Sequence, residues 1–239
     1  MAFYSELVEA YDAVFPLNPK QLEFVQQACG GSLAAKSVLD MGCGTGSLSI
    51  AMARQSAKVR AFDFDAEMVA KAGEKRPQAL DLQFQQGDMR LVDTYFLPML
   101  FDAVLCFGNT LVHLDSSDEV ALTIEKVAGR LNAGGKLMLQ IVSYDRVLDN
   151  QVTSLPTINT AEYSFVRHYK HRTDGKIDFS TLLETPTAKI ENSVPLLALR
   201  KEQLEAILKE YFSEINCFGG FDRSQWSPNT FHLVVEAIK

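Results

Sequence analysis

Residues 38–53 read VLDMGCGTGSLSIAMA. A short apolar run ends on Asp40, glycines follow at positions 42, 44 and 46, and a helical pattern begins. An interior glycine weakens a strand or helix by about 0.5–1 kcal/mol relative to alanine. Three of them at one strand–helix junction therefore mark a place where the backbone must be bare, turning tightly and touching a ligand ahead of a helix N-terminus. The spacing is G-x-G-x-G. A dinucleotide fingerprint would need its third glycine at Ser47, and a phosphate-binding P-loop would need Lys-Ser or Lys-Thr after the glycines. Neither is present, which disfavours a nicotinamide-dependent dehydrogenase and excludes a P-loop.

Outward from this loop the chain alternates. SVLDMG, KVRAFDFD, DLQFQQGD, FDAVLCFGN and KLMLQIVSYD read as strands; TGSLSIAMARQ, AEMVAKAGEKR and SDEVALTIEKVAGRLNAGG read as helices, the last stopped by its glycines. Such a rhythm predicts βαβ units and a doubly wound α/β sheet. After Asp149 the period changes to alternating polar and apolar residues. EYSFVRHYKHR, KIDFSTLLET and AKIENSVPLLAL predict a three-stranded antiparallel insert with one exposed face. RKEQLEAILKEY returns to helix, and EINCFGGF and FHLVVEAIK read as a final antiparallel pair at the sheet edge. The expected organisation is one domain, 1–239: an N-terminal helical cap (1–30), a core (31–149 and 200–239), and a β insert (150–199) over the site.

Composition narrows the partners. The 239 residues carry 23 Lys and Arg against 30 Asp and Glu, a net charge of −7. That balance lacks the basic footprint of a phosphate-backbone binder, so nucleic acid is not the expected partner. The four cysteines form no CxxC pair and lie at no metal-ligand spacing from a histidine. They read as free thiols of a reducing compartment, and no metal is expected. The N-terminus MAFYSELVEAYD has no apolar signal region, and no apolar run approaches the roughly 20 residues of a membrane span. A cytoplasmic protein is the expectation.

Two further acids stand at strand ends. Asp63 closes the second strand, where one carboxylate can accept two ribose hydroxyls; Asp65, two residues nearer the helix, fits an N-cap. Asp88 closes the third strand, where it can accept an exocyclic adenine amine while the Met89 amide donates to a ring nitrogen. With VLDMGCGTG, FDFDAEM, QGDM, FDAVLCFGN and LNAGGKLML in this order, the chain resembles a class I S-adenosylmethionine-dependent methyltransferase from about Val38 to Tyr144. The resemblance implies a Rossmann-like seven-stranded mixed sheet with its last strand antiparallel, and S-adenosyl-L-methionine as cofactor. It implies a cofactor set of Asp40, Gly42, Gly44, Gly46, Asp63, Phe64, Met68, Asp88, Met89, Cys106 and Phe107.

The loop after the fourth strand, Phe107 to Asn109, is expected to flank the reacting methyl. It lacks the Asn/Asp-Pro-Pro-Tyr/Phe motif of DNA-adenine and glutamine-amide enzymes, and Cys106 lacks the neighbouring prolines of RNA-cytosine enzymes and reads as core. FDAVLCFGNTLVHL is similar to the loop of glycine/sarcosine-type small-molecule N-methyltransferases, in which Gly108 and Asn109 would orient an amine. SYD at 143–145 resembles their Arg-Asn-Tyr-Asp ending, with Val142 at the arginine and Ser143 at the asparagine. The catalytic expectation is Asn109, His113 and Tyr144. The substrate expectation is Tyr4, Tyr11, Gly108, Asn109 and Arg167, Arg167 being one of three insert cations, with His168 and Arg172, that can meet an anion. A small-molecule methyl acceptor and no membrane follow. The other reading is a methyltransferase-like module that binds cofactor without turnover and acts through a protein partner.

Overall fold

In the computed structural model, which describes residues 7–239, the apolar run before the glycines forms β1 (Ser37–Met41), buried at every position but its first. The others of the parallel set are β2 (Lys58–Asp63), β3 (Leu82–Gln86), β4 (Phe101–Cys106) and β5 (Leu131–Val142). β10 (Glu214–Phe218) and β11 (His232–Ile238) complete a seven-stranded sheet of order β10-β11-β5-β4-β1-β2-β3. β11 runs antiparallel to both β5 and β10. The strand order reverses between β1 and β4, and the carboxyl edge at such a switch point is where doubly wound sheets hold ligands.

α2 (Pro19–Ala28) and α3 (Ser47–Arg54) cover one face, packing Phe24, Val25, Ile50 and Met52 on Val38 and Leu105. α5 (Ser117–Arg130) and α7 (Lys201–Leu208) cover the other with Val120, Ile124, Leu204 and Leu208. The two N-terminal helices thus part company. α2, started by Asn18 as N-cap and Pro19 at N1, belongs to the helix layer. α1 (Val8–Val14) instead lies against α4 (Ala66–Lys75) and the insert.

Two expected element boundaries are corrected. α5 ends at Arg130, and residues 131–135 already run in β5. Arg130 is buried, and its guanidinium donates to the carbonyls of Tyr95 and Met99 at 2.7 Å each, so the helix stops where its last side chain plugs the 89–99 turn. Tyr144 likewise opens a short helix, α6 (Tyr144–Asp149), rather than ending a strand.

The insert has four antiparallel strands rather than three: β6 (Ser154–Asn159), β7 (Ser164–His171), β8 (Lys176–Glu184) and β9 (Lys189–Leu197), paired in sequence order. The unexpected strand, β6, is an edge strand that contains Pro156, tolerated there because an edge leaves one side of the ladder unpaired. Tyr169, Ile177, Val194 and Leu196 of this second sheet join the core of β4, β5 and α5. Phe165 and Leu183 pack on Leu7, Ala10 and Val14.

Candidate active site

The glycine loop is tied to the second strand by its backbone. The Gly42 and Cys43 amides donate to Phe62 O at 2.8 and 3.1 Å, and the Gly44 amide donates to Asp63 Oδ2 at 2.7 Å. The three glycines all have positive φ, but they are needed for different reasons. A Cβ on Gly42 would lie 2.8 Å from Thr110 Oγ1, in the loop after β4, and one on Gly44 would lie 3.1 Å from the Tyr11 hydroxyl. One on Gly46 would lie 2.5 Å from Phe84 Cζ and 3.0 Å from Ala72 Cβ. Gly42 and Gly44 line the cavity at this edge; Gly46 does not. Its bareness lets the loop pack on β3 and α4.

That cavity measures about 640 Å³. Asp40, Asp63, Phe64, Met68, Asp88, Met89 and Phe107 line it on the sheet side. Asp63 Oδ1 accepts from the Asp65 amide at 3.0 Å, so each carboxylate oxygen takes one backbone N–H and keeps capacity for a hydroxyl. Burial pushes its pKa up. Asp65 caps α4, accepting from the Glu67 and Met68 amides at 2.9 and 3.1 Å. Asp88 caps the turn at Met89–Thr94 and is gripped by Arg90, whose Nε and Nη2 lie 2.9 and 2.6 Å from Oδ2. Burial works to raise the Asp88 pKa, but the Arg90 bonds outweigh it and hold the carboxyl below its usual range. Phe64, 49% exposed, stands beside this pair of acids as an uncovered ring.

After β4 the loop is held from behind. Gly108 N donates to Gln140 Oε1 at 2.8 Å. Asn109, at φ 66°, accepts from the Val142 amide through Oδ1 at 2.9 Å and donates through Nδ2 to the Tyr144 hydroxyl at 3.2 Å. Tyr144 is fully buried and stands behind Asn109, away from the cavity. Cys106 is fully buried in the core and does not line the cavity either; burial pushes its thiol up to about 12. His113 does line it, and burial pushes its imidazole down to about 4. Tyr11 and Arg167 line the far side with Phe15, Ile158 and Val194. Tyr4 lies outside the described residues.

A family model described as a methyltransferase domain matches residues 38–135. The chain is 30% identical over 192 residues to a glycine/sarcosine N-methyltransferase of Aphanothece halophytica, covering 80% of this chain and 71% of that one. The class of these relatives and the glycine–acid edge coincide. The chain belongs to the class I S-adenosylmethionine-dependent methyltransferases. A second glycine/sarcosine N-methyltransferase, of Halorhodospira halochloris, is 28% identical over 78% of this methyltransferase and 69% of its own length. Among solved structures, an S-adenosylmethionine-dependent methyltransferase from Clostridium acetobutylicum superposes with a TM-score of 0.81 at 18% identity, over 98% of both chains. An amino pentose methyltransferase from Micromonospora echinaspora gives 0.72 at 20% identity, over 97% of this chain and 96% of its own. These last two establish the shared fold.

Several residues of the methyltransferase site carry no signal in the sequence. Asp12, on α1, accepts from Thr45 Oγ1 at 2.5 Å and Ser47 Oγ at 3.0 Å and is paired with Lys75, so the helix over Gly44 is pinned to the loop and to α4. Gln140 must present Oε1 to the Gly108 amide, since that amide can only donate. Its Nε2 then donates to His232 Nδ1 at 3.1 Å, which places the proton of the neutral imidazole on Nε2 at the cavity wall. A lone Gln inside KLMLQIV, pairing with a His 92 positions on, leaves no local trace.

A buried and a half-buried group of the methyltransferase titrate in opposite senses. Asp40, 4% exposed and bonded to Ser49 Oγ at 2.5 Å, is pushed up to about 6 by burial. An acid raised in the folded state removes stability as pH rises through its folded value. His113, lowered to about 4 by burial, does the reverse and removes stability as pH falls from the free value of 6.5 toward 4. Each shift is worth roughly 3 kcal/mol, so the two slopes nearly cancel between pH 4 and 6. Asp40→Asn is expected to uncover the histidine slope: urea unfolding of the variant, relative to wild type, should gain stability at pH 7 and lose that gain by pH 4. An unchanged difference across this range would contradict the assignment.

Proposed function

We propose that this methyltransferase transfers the methyl group of S-adenosylmethionine to a nitrogen or oxygen of a small molecule. One observation carries the reading: a single cavity of about 640 Å³ runs from the glycine–acid edge to residues of β6, β7 and β9 in the insert. Small-molecule sites measure about 300–1,000 Å³, and this one must take cofactor and acceptor together, which leaves room for a small acceptor. The named relatives act on glycine and sarcosine, which favours nitrogen. Val142 stands at the position of the arginine that, by the resemblance to the glycine/sarcosine-type motif, holds an amino acid's carboxylate, which argues against glycine itself.

The residues fit the cofactor. Asp63 retains acceptor capacity for the ribose hydroxyls, Asp88 and the Met89 amide suit the adenine, and bare backbone at Gly42 and Gly44 suits the methionine portion. When bound, S-adenosylmethionine supplies an electrophilic methyl on a positively charged sulfur. An amine must meet that methyl unprotonated. His113, kept neutral by burial, lines the cavity as a hydrogen-bonding group that can orient the acceptor, and the proton that the acceptor loses on methylation leaves to solvent. Asn109 shapes the loop beside the acceptor, and Tyr144, acting through Asn109, is a positioning residue. Free cysteines accord with a cytoplasmic setting, and no helix among the described residues is long and apolar enough to cross a membrane.

The test is incubation with methyl-labelled S-adenosylmethionine and a panel of small amines and alcohols. S-adenosylhomocysteine and a labelled small product should appear together. Label found only in protein or nucleic acid, or cofactor bound with no label transferred to any fraction, would overturn the reading.

A further inference from the structure

The second sheet turns a patterned face toward the core. Cross-strand partners share a face, and beside a row of His171, Ile177 and Leu196 the register sets three more on it. Ile158, Phe165, Leu183 and Ile190 form one row, packed on α1; Tyr169, Phe179 and Val194 form another, packed on the main core. Between them runs the row Leu155, Arg167, Thr181, Asn192. An arginine thus stands between two apolar rows, at the wall of the acceptor end of the cavity.

Arg167 differs from the paired cations of the insert, and from Lys170, which is exposed to solvent. Arg172 pairs with Asp174 and Asp178, Lys176 with Asp115, and Lys189 with Glu184. Among the described residues no carboxylate lies within 4 Å of Arg167. Its Nη2 donates to Pro156 O at 2.7 Å, in the stretch where the β6–β7 register shifts. That bond aims the guanidinium, while Nε is buried with no hydrogen-bond partner. Desolvation works against its charge. His168 is exposed, and Arg172 is satisfied by its acids. A partly buried guanidinium without an acid is costly unless something pairs with it.

We propose that Arg167 forms an anion subsite, so that the methyl acceptor carries a carboxylate or phosphate besides its nucleophile. This rests on the small-molecule methyltransferase reading above. A planar guanidinium suits either anion, because its donors form a fixed fork. The apolar rows on either side raise its selectivity by excluding water around the pair.

The experiment starts from protein saturated with S-adenosylhomocysteine. Sodium acetate and sodium phosphate are titrated at constant ionic strength against sodium chloride, with melting temperature and calorimetry as readouts, in wild type, Arg167→Gln and Arg167→Met. Acetate or phosphate should bind saturably to wild type and at least about tenfold more weakly to both variants, the loss expected for one charge-assisted contact. S-adenosylhomocysteine affinity should stay unchanged. The tighter anion identifies the acceptor group, acetate for a carboxylate and phosphate for a phosphate ester. The methionine variant matches the apolar rows and guards against a folding defect in the glutamine one. Anions indistinguishable from chloride in wild type, or bound equally by the variants, overturn the proposal. So does loss of S-adenosylhomocysteine affinity in the variants, which would assign Arg167 to the cofactor's own carboxylate. Failure of wild type to bind S-adenosylhomocysteine at the outset would instead strike the methyltransferase reading.

Discussion

Asp63→Ala is expected to weaken S-adenosylmethionine binding by about 100-fold or more, with the fold retained. One hydrogen bond from a ligand to a charged acceptor is worth about 1.5–3 kcal/mol, or roughly 10- to 150-fold, and this carboxylate is placed to receive two hydroxyls. The substitution also frees the Gly44 and Asp65 amides, which Asp63 holds at 2.7 and 3.0 Å, so the loop that meets the cofactor loses its tether. Because burial raises the Asp63 pKa, cofactor affinity should fall on acidification at a higher pH than an exposed aspartate would impose. Asp65→Ala is the control: it removes a helix cap, costs about 1 kcal/mol of stability, and should leave affinity nearly intact. Calorimetric titration of both variants decides it; the opposite ranking would mean that the carboxylates have been exchanged.

Gly46→Ala is expected to lower the melting temperature by about 5–15 °C. A left-handed backbone costs a non-glycine residue about 1–2 kcal/mol. Forcing a methyl against the Phe84 ring and Ala72 adds overpacking of about 1–3 kcal/mol, and a chain of this size shifts about 2–4 °C per kcal/mol. Gly30→Ala separates the two contributions, since Gly30 has φ 84° but a Cβ there would meet nothing within 4 Å. It should show only the backbone share. Scanning calorimetry showing equal shifts for both would remove the packing role assigned to Gly46.

These glycines also mark the limits of reading the chain as a string. Their spacing marks a strand–loop–helix junction that meets a ligand, because a bare turn after an apolar run is a local pattern; the cofactor class needs the five motifs in order. That Gly46 serves Phe84 and Ala72 rather than the ligand depends on elements 26 and more residues away, which no local pattern carries. The acids at the ends of β2 and β3 were legible for the same reason as the loop: strand ends in a βαβ rhythm share one edge. Around β4 the expected cofactor set takes in both Cys106 and Phe107, but neighbouring strand residues face opposite ways, and of the two only Phe107 reaches the cavity.

β6 carries no strand signal because its sequence, SLPTIN, is polar, short and interrupted by proline, and its pairing with β7 spans an irregular register. The Gly108–Gln140–His232 chain and the Asp12 anchor leave no local trace because each joins residues distant in sequence. The row containing Arg167 became visible only once the register of four strands was known. Its neighbours Phe165 and Tyr169 fall on the same face by alternation, which the sequence does carry.

The most direct test of the central claim is a crystal structure of the S-adenosylhomocysteine complex. The ribose is expected on Asp63, the adenine beside Asp88 and Met89, the homocysteine portion over Gly42 and Gly44, and the sulfur facing the space bounded by Asn109 and His113. A nucleoside seated elsewhere, with Asp63 still bonded only to backbone amides, would contradict it.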